Sequence, residues 1–287
     1  MWRIIRPVDG IIMGIGLNVA MVLAGSLQQH IPFIFYVYVF LAGLLVSSHA
    51  MVVNDIVDLE IDKINEPDRV LPQGLLSKRQ SWLYAIFLAV AGIFFFVLID
   101  LGGYDTVPFV WLYGLFHVIL ADIYNYKLKA TGLVGNIVVA ESSYALFLAG
   151  DLFLNGHLTL IPEVVGVMAF CASLSREIFK GIVDQEGDAQ HGVRTLAVVL
   201  GPKMAKYIAS AIFSVCLILA IFVFSHLYLL GKIGLVLVCG IFLYILYLAK
   251  DAEIPAQSKK IKSYILLGPL LLSPFLILDQ LLQLTIK

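Results

Sequence analysis

Charge is scarce in this chain. Asp, Glu, Lys and Arg make up 14% of its 287 residues and hydrophobic residues 61%, where soluble globular proteins run at about 25% and about 45–50%. So few polar side chains cannot cover the surface of a water-soluble fold, which places most of the chain in lipid. A charge excess of either sign is missing as well, the formal net charge being −1. No uniform basic field exists to hold a nucleic acid. Cysteine is limited to Cys171, Cys216 and Cys239, each inside an apolar run. Three scattered thiols build neither a disulfide framework nor a zinc site, and they read as small core residues. There is no Gly-x-x-x-x-Gly-Lys-Ser/Thr loop, no low-complexity tract and no stretch with the composition of an extramembrane domain. Met1 to Pro7 lead into a long apolar segment rather than a short one with a small-residue cleavage site, so no cleavable signal is expected.

Long apolar runs take the place of what is missing. A helix needs roughly 20 apolar residues to cross the hydrocarbon core. Nine such runs occur, at about 8–28, 33–53, 82–99, 107–125, 133–150, 161–181, 207–228, 231–249 and 263–281. They predict an all-α, polytopic membrane protein, a nine-transmembrane-helix bundle in which residues 1–287 form a single transmembrane domain. With nine spans, 17 of the 19 Lys and Arg fall on one side, leaving Lys232 and Lys287 on the other. The positive-inside rule then makes the amino terminus cytoplasmic and the carboxyl terminus external. The outer loops are short. The two long loops, about 54–81 and 182–206, are both cytoplasmic, and loops of that length usually carry function. The chemistry is expected at the cytoplasmic face of a multi-pass cell-membrane protein.

The two long loops begin alike. Ile56-Val57-Asp58-Leu59-Glu60-Ile61-Asp62 and Ile182-Val183-Asp184-Gln185-Glu186-Gly187-Asp188 agree at five of seven positions. Each starts at the inner end of an apolar span, and each is followed by an arginine, Arg69 and Arg194. At about 100° per residue, Asn54, Asp55, Asp58 and Asp62 share one helix face, and Asp184 and Asp188 share another, while Glu60 and Glu186 point elsewhere. Five carboxylates meeting with few countercharges repel one another, and a hard divalent cation such as Mg²⁺ relieves that repulsion. Acids at membrane depth are functional by default. Arg69, Lys127, Lys129, Lys180 and Arg194 lie on the same side. A ligand that needs both Mg²⁺ and Lys or Arg is a polyphosphate. With no phosphate loop and no soluble α/β unit to hold a nucleotide, a lipid-soluble diphosphate suits this apolar bundle better.

Asn54-Asp55-x-x-Asp58-x-x-x-Asp62 and Asp184-x-x-x-Asp188, in the second and sixth of nine spans, resemble the paired motifs of the UbiA superfamily of intramembrane prenyltransferases. The likeness extends over nearly the whole chain. Glu60 to Gly74 resembles the archaeal ether-lipid branch and also chlorophyll synthases, while Arg176 to Asp188 and Gly192-Val193-Arg194-Thr195-Leu196-Ala197 are closer to the ether-lipid branch, with Gly181 and Gln190 where the family usually has a charge. The resemblance implies Mg²⁺, an isoprenyl diphosphate donor (geranylgeranyl diphosphate) and a lipid-like acceptor, the hydroxyl of geranylgeranylglyceryl phosphate. It implies that Asn54, Asp58, Asp62, Asp184 and Asp188 hold the metal and that the four aspartates are catalytic. Asp55 then stands behind them, with Arg69, Lys127, Lys129, Lys180 and Arg194 toward the phosphates. Ionisation of the donor leaves an allylic cation, which aromatic faces stabilise without attacking it; Tyr124, Tyr126 and Tyr144 are the candidates. Asn18 and Asn136, polar groups within or near spans, are either substrate contacts or helix–helix hydrogen bonds. His49 is either a base or a packing residue, and His30, His117, His157, His191 and His226 read as loop or interface residues. Lys259-Lys260-x-Lys262 is expected to anchor to anionic headgroups of membrane lipids, the acceptor's phosphate being its other use.

Spacing alone does not separate a glycerol hydroxyl from an aromatic, quinone-precursor or chlorophyllide acceptor. An ion-coupled secondary transporter is also multi-spanning with paired motifs. Against it, these acids gather at helix ends rather than at the bilayer midplane, and they have basic neighbours.

Overall fold

Each expected apolar run lies on a helix, though the ends differ. The computed structural model describes residues 2–27, 29, 31–103, 108–190 and 192–286; His30, His191, Lys287 and positions 104–107, expected in an outer loop, lie outside the described residues. The first half consists of α1 (Pro7–Leu23), α2 (Phe33–Val57), α3 (Leu59–Asn65), α4 (Lys78–Gly102) and α5 (Val110–Ile123). A π-helical turn, Tyr124–Leu128, and a 3-10 turn, Lys129–Thr131, lead into the second half. There follow α6 (Leu133–Asn155), α7 (Leu160–Val183), α8 (Gln185–Gln190), α9 (Leu196–Leu200), α10 (Pro202–His226), α11 (Leu229–Leu248), α12 (Pro255–Ile265) and α13 (Leu267–Ile286). Among the described residues there is no strand.

Among the described residues, six helical segments are long and apolar enough to cross a membrane: α2, α4, α6, α10, α11 with its 3-10 extension, and α12 with α13. The other three runs are α1, with 17 residues, α5, with 14, and α7, whose 24 residues include Glu163, Arg176, Glu177 and Lys180. The first run ends early, at Leu23. Gly25 takes φ 101°, and the Ser26 N–H donates to the Met21 carbonyl at 3.1 Å, a left-handed stop that only glycine adopts without steric cost. The two expected cytoplasmic loops are partly helical, because α3, α8 and α9 form within them. At the end of the first, Ser77 and Gln80 cap α4 reciprocally.

The helices pack α1 against α2 and α6, α2 against α4, α6 against α7, α7 against α10, and α11 against α13, with α13 returning to α1. Small residues allow the closest approach. A Cβ on Gly150 would stand 2.6 Å from the Ala20 backbone, so α6 and α1 touch where no larger side chain fits. The outer surface is apolar: Leu83, Phe87, Val90 and Phe94 are all more than half exposed at helical spacing on α4, a stripe that faces lipid.

Three intramembrane acids have a structural explanation. Asp100 accepts from the Val110 and Trp111 N–H groups at 2.7 and 3.1 Å, at the start of α5. Asp151 accepts from the Thr159 N–H at 2.6 Å, at the start of α7. Asp279 accepts from Tyr228 and Gly231 N–H at 2.8 and 2.9 Å, at the start of α11. Each carboxylate satisfies amides that have no intrahelical partner and meets the positive end of a helix dipole. Asp279 is fully buried. Asp279→Ala is therefore expected to destabilise the protein by about 1–3 kcal/mol, the cost of stranding buried donors. Thermal unfolding in detergent measures this, with Asp279→Asn retaining part of the loss.

Candidate active site

The duplicated sequence has a duplicated backbone. α2 stops at Asp58 (φ −82°, ψ 3°), and the chain resumes at once as α3. α7 stops at Asp184 (φ −95°, ψ 7°) and resumes as α8. Both aspartates sit in the sparsely populated bridge region, where active-site residues are frequent. An i→i+4 bond flanks each break on either side: Asp58 N–H to Asn54 O at 2.9 Å and Asp62 N–H to Asp58 O at 2.8 Å, then Asp184 N–H to Lys180 O at 3.0 Å and Asp188 N–H to Asp184 O at 2.9 Å. The break turns the following half of each motif, which carries Asp62 or Asp188, away from the line of the helix before it.

The first motif is met by cations from distant parts of the chain. Arg6, just before α1, pairs with Asp55 and reaches Asn54 at 3.5 Å. Arg69 pairs with Asp62 and stands 3.5 Å from Asp55. Lys129 pairs with Asp58. Asn54 donates to Asn125 Oδ1 at 3.1 Å, and Asn125 donates to the Ala50 carbonyl at 3.3 Å, which ties α2 to the π-helical turn. The expectation of five carboxylates with few countercharges is thereby corrected. Asp55, Asp58 and Asp62 each hold a cation, because packing brings Arg6 and Lys129 to α2 from far along the chain.

Lys129 also lies within electrostatic reach of the second motif. Besides pairing with Asp58, it acts electrostatically on Asp188. Burial first, and then the neighbouring Asp184, push the Asp188 carboxyl above the ordinary carboxylate range. Lys180, a hydrogen bond from Thr195 and Lys129 oppose that rise. The turn carrying Lys129 is held against the second motif's loop at Gly132, which has φ +68°; a Cβ there would stand 2.0 Å from the Arg194 carbonyl oxygen. Only glycine permits that contact.

These donors fit a magnesium ion better than a zinc or calcium ion. They are all hard oxygens. Among the described residues no three carboxylate, imidazole or thiol groups gather into a ready-made cage. Mg²⁺ commonly takes one or two carboxylates and completes its shell with water and substrate phosphate. Pairs of aspartates on two broken helices suit that habit.

The UbiA prenyltransferase family pattern matches residues 15–268. The chain belongs to the UbiA prenyltransferase family. Among its relatives, a Thermococcus sibiricus protein named digeranylgeranylglyceryl phosphate synthase is 35% identical over 256 residues, covering 85% of this chain and 84% of the relative. A Sulfolobus acidocaldarius protein of the same name is 34% identical over 236 residues, covering 79% and 80%. The fold agrees with a solved structure concerned with digeranylgeranylglyceryl phosphate synthase in membranes, at TM-score 0.74, 21% identity and coverage of 97% and 96%. It agrees also with a UbiA homolog from Archaeoglobus fulgidus bound to GPP and Mg²⁺, at TM-score 0.69, 18% identity and coverage of 94% and 98%.

In this UbiA member the remaining expected residues divide. Tyr124 is largely buried where the charges of Asp58 and Glu177 both reach it. Lys180 stands 3.7 Å from Glu177. Lys127 and Arg194 are exposed, and their side chains have no ion pair among the described residues. Three of the expected residues have partners of their own in the structure. Tyr126 is exposed and stacks on Trp82, 6.5 Å between centroids, on the outer surface. Tyr144 donates to Glu163 at 2.6 Å; Glu163 lies 21 residues before Asp184 on α7, about 31 Å along the axis. Asn18 donates to the Gly14 and Tyr36 carbonyls at 3.3 and 3.2 Å, clamping α1 to the far end of α2 as a helix–helix hydrogen bond. His49 is the packing residue of its two alternatives: buried, it bonds the Ala85 carbonyl at 3.0 Å and Asp122 at 3.2 Å. Sequence reading missed Arg6, Asn125 and Glu177. The one local sequence signal among them is Arg6, a basic residue placed directly before Pro7 at the start of an apolar run.

Proposed function

We propose that this protein transfers the geranylgeranyl group from its diphosphate to the hydroxyl of geranylgeranylglyceryl phosphate. The observation that carries the reading is the pair of helices broken at Asp58 and Asp184, each bearing one copy of the aspartate motif. The names of its archaeal relatives support the choice of acceptor. Asn54, Asp58 and Asp62 on one side and Asp184 and Asp188 on the other would hold Mg²⁺, which when bound neutralises the diphosphate and makes it a better leaving group. Arg69 and Lys129 exchange their aspartate partners for phosphate oxygens, adding charge-assisted hydrogen bonds. Tyr124 offers an aromatic face to the allylic carbon as its C–O bond breaks, stabilising positive charge without acting as a nucleophile. The surrounding apolar helices exclude water, the competing nucleophile. The distribution of basic residues supports an amino terminus and an acid site at the cytoplasmic face, a carboxyl terminus outside, and one transmembrane domain over residues 1–287.

An acceptor panel tests the proposal. Purified protein with radiolabelled geranylgeranyl diphosphate and Mg²⁺ is offered geranylgeranylglyceryl phosphate, 4-hydroxybenzoate, a naphthoate and a chlorophyllide. Prenylation of the first, at least about a hundredfold faster in kcat/KM than of any other, is expected, since a site built to pair with a polar group rejects analogues lacking it. Preference for an aromatic acceptor refutes the choice of acceptor and leaves the family membership intact.

A further inference from the structure

Lys259, Lys260 and Lys262 do not form one surface anchor. α12 packs along α7, with Ile261 and Ile265 buried in the core that also contains Ile178 and Ile182. Lys259 and Lys260 are exposed. Lys262, one position beyond the buried Ile261, is half-buried on the helix that packs along α7, within electrostatic reach of Asp184, Lys180, Arg176 and Glu177. Arg176 and Lys180 already share Glu177, at 2.8 and 3.7 Å. Yet the Arg176 Nε is buried with no hydrogen-bond partner. A buried guanidinium donor left unpaired is costly, and its remedy is an anion.

The charges also fail to balance. If Asp184 and Asp188, which Lys180 also reaches, both belong to the metal-facing motif, Glu177 alone is left to oppose three cations. The surplus of about two positive charges matches a phosphate monoester, which carries about −1.5 to −2 at neutral pH. The donor's diphosphate has its own cations, Arg69 and Lys129, on the first motif. We infer that Arg176, Lys180 and Lys262 form a second anion site that binds the phosphate monoester of the lipid acceptor, apart from the diphosphate of the donor. The inference rests on the reading above that the acceptor is phosphorylated. It moves Lys180 from the donor's phosphates to the acceptor's.

The test compares wild type, Lys262→Gln and Lys262→Arg on geranylgeranylglyceryl phosphate and on its dephosphorylated alcohol. Lys262→Gln is expected to raise KM for the phosphorylated acceptor at least about tenfold, with KM for geranylgeranyl diphosphate and turnover of the alcohol within about twofold of wild type. Lys262→Arg restores the wild-type KM, and so does a Lys259→Gln/Lys260→Gln variant, which leaves the cluster of Arg176, Lys180 and Lys262 intact. Binding is read separately in EDTA, without turnover. There the phosphorylated lipid raises the melting temperature of wild type more than the alcohol does, and Lys262→Gln removes that difference. An unchanged acceptor KM in a folded Lys262→Gln, or a rise confined to the donor's KM, overturns the site while leaving the reaction standing. Wild type inert toward the phosphorylated acceptor overturns the reaction, and the site with it. An equal melting shift from an anionic phosphodiester lipid makes the cluster a general headgroup anchor and overturns it as an acceptor site.

Discussion

Asp58→Ala and Asp184→Ala each lower kcat for diphosphate release by at least about a thousandfold, which corresponds to roughly 4 kcal/mol of transition-state stabilisation. These two residues stand at equivalent breaks, one per motif. If they act as one unit on a single diphosphate, the double variant falls little further than either single variant. Asp58→Asn separates charge from shape. It keeps a side chain that can cap the break but removes the negative charge, and it is expected to lose nearly as much as alanine. Lys129 then lacks its partner, so thermal unfolding accompanies the kinetics to confirm that the variants remain folded. A single alanine variant retaining more than about a tenth of wild-type kcat contradicts a shared role for the two motifs.

Removal of divalent metal has the second large effect. EDTA brings diphosphate release to the uncatalysed rate, at least about ten-thousandfold down, and added Mg²⁺ restores it. The structure adds a companion expectation. Asp55, Asp58 and Asp62 keep Arg6, Arg69 and Lys129 as partners without metal, so the acids are not left as bare buried charges. EDTA should therefore stop turnover while shifting the melting temperature by less than about 2 °C, far from the collapse seen where metal binding supplies folding energy. Solute uptake into vesicles that persists in EDTA, with no diphosphate released, favours an ion-coupled transporter and sinks both expectations.

Much of the fold was legible because lipid imposes a simple rule on sequence. Backbone amides must be satisfied within the segment, so a membrane-crossing apolar run is a helix. The ends were harder to read, since capping is a matter of single residues. Gly25 stops α1 five positions before its apolar run ends. Asp58 and Asp184 interrupt stretches whose helical periodicity continues on either side. Single acids near the helix ends are a separate matter. Composition does not distinguish Asp151 or Asp279, which cap helices by bonding backbone amides, from Asp58, which faces a lysine.

The sequence by itself determined the doubled motif, its place at the ends of two apolar helices, and the oxygen-rich chemistry that goes with it. Those depend on residue type and on spacings of four, which helical geometry converts directly into a shared face. Only the tertiary structure decided which cation meets which acid. Arg6 reaches Asp55 across 49 positions and Lys129 reaches Asp58 across 71. It also decided that Tyr126 stacks outside, that Asn18 fastens two helices and that Lys262 comes within electrostatic reach of Glu177. Side-chain partners so far apart in the chain are selected by which helices pack together and at what rotation, and local periodicity contains no information about either.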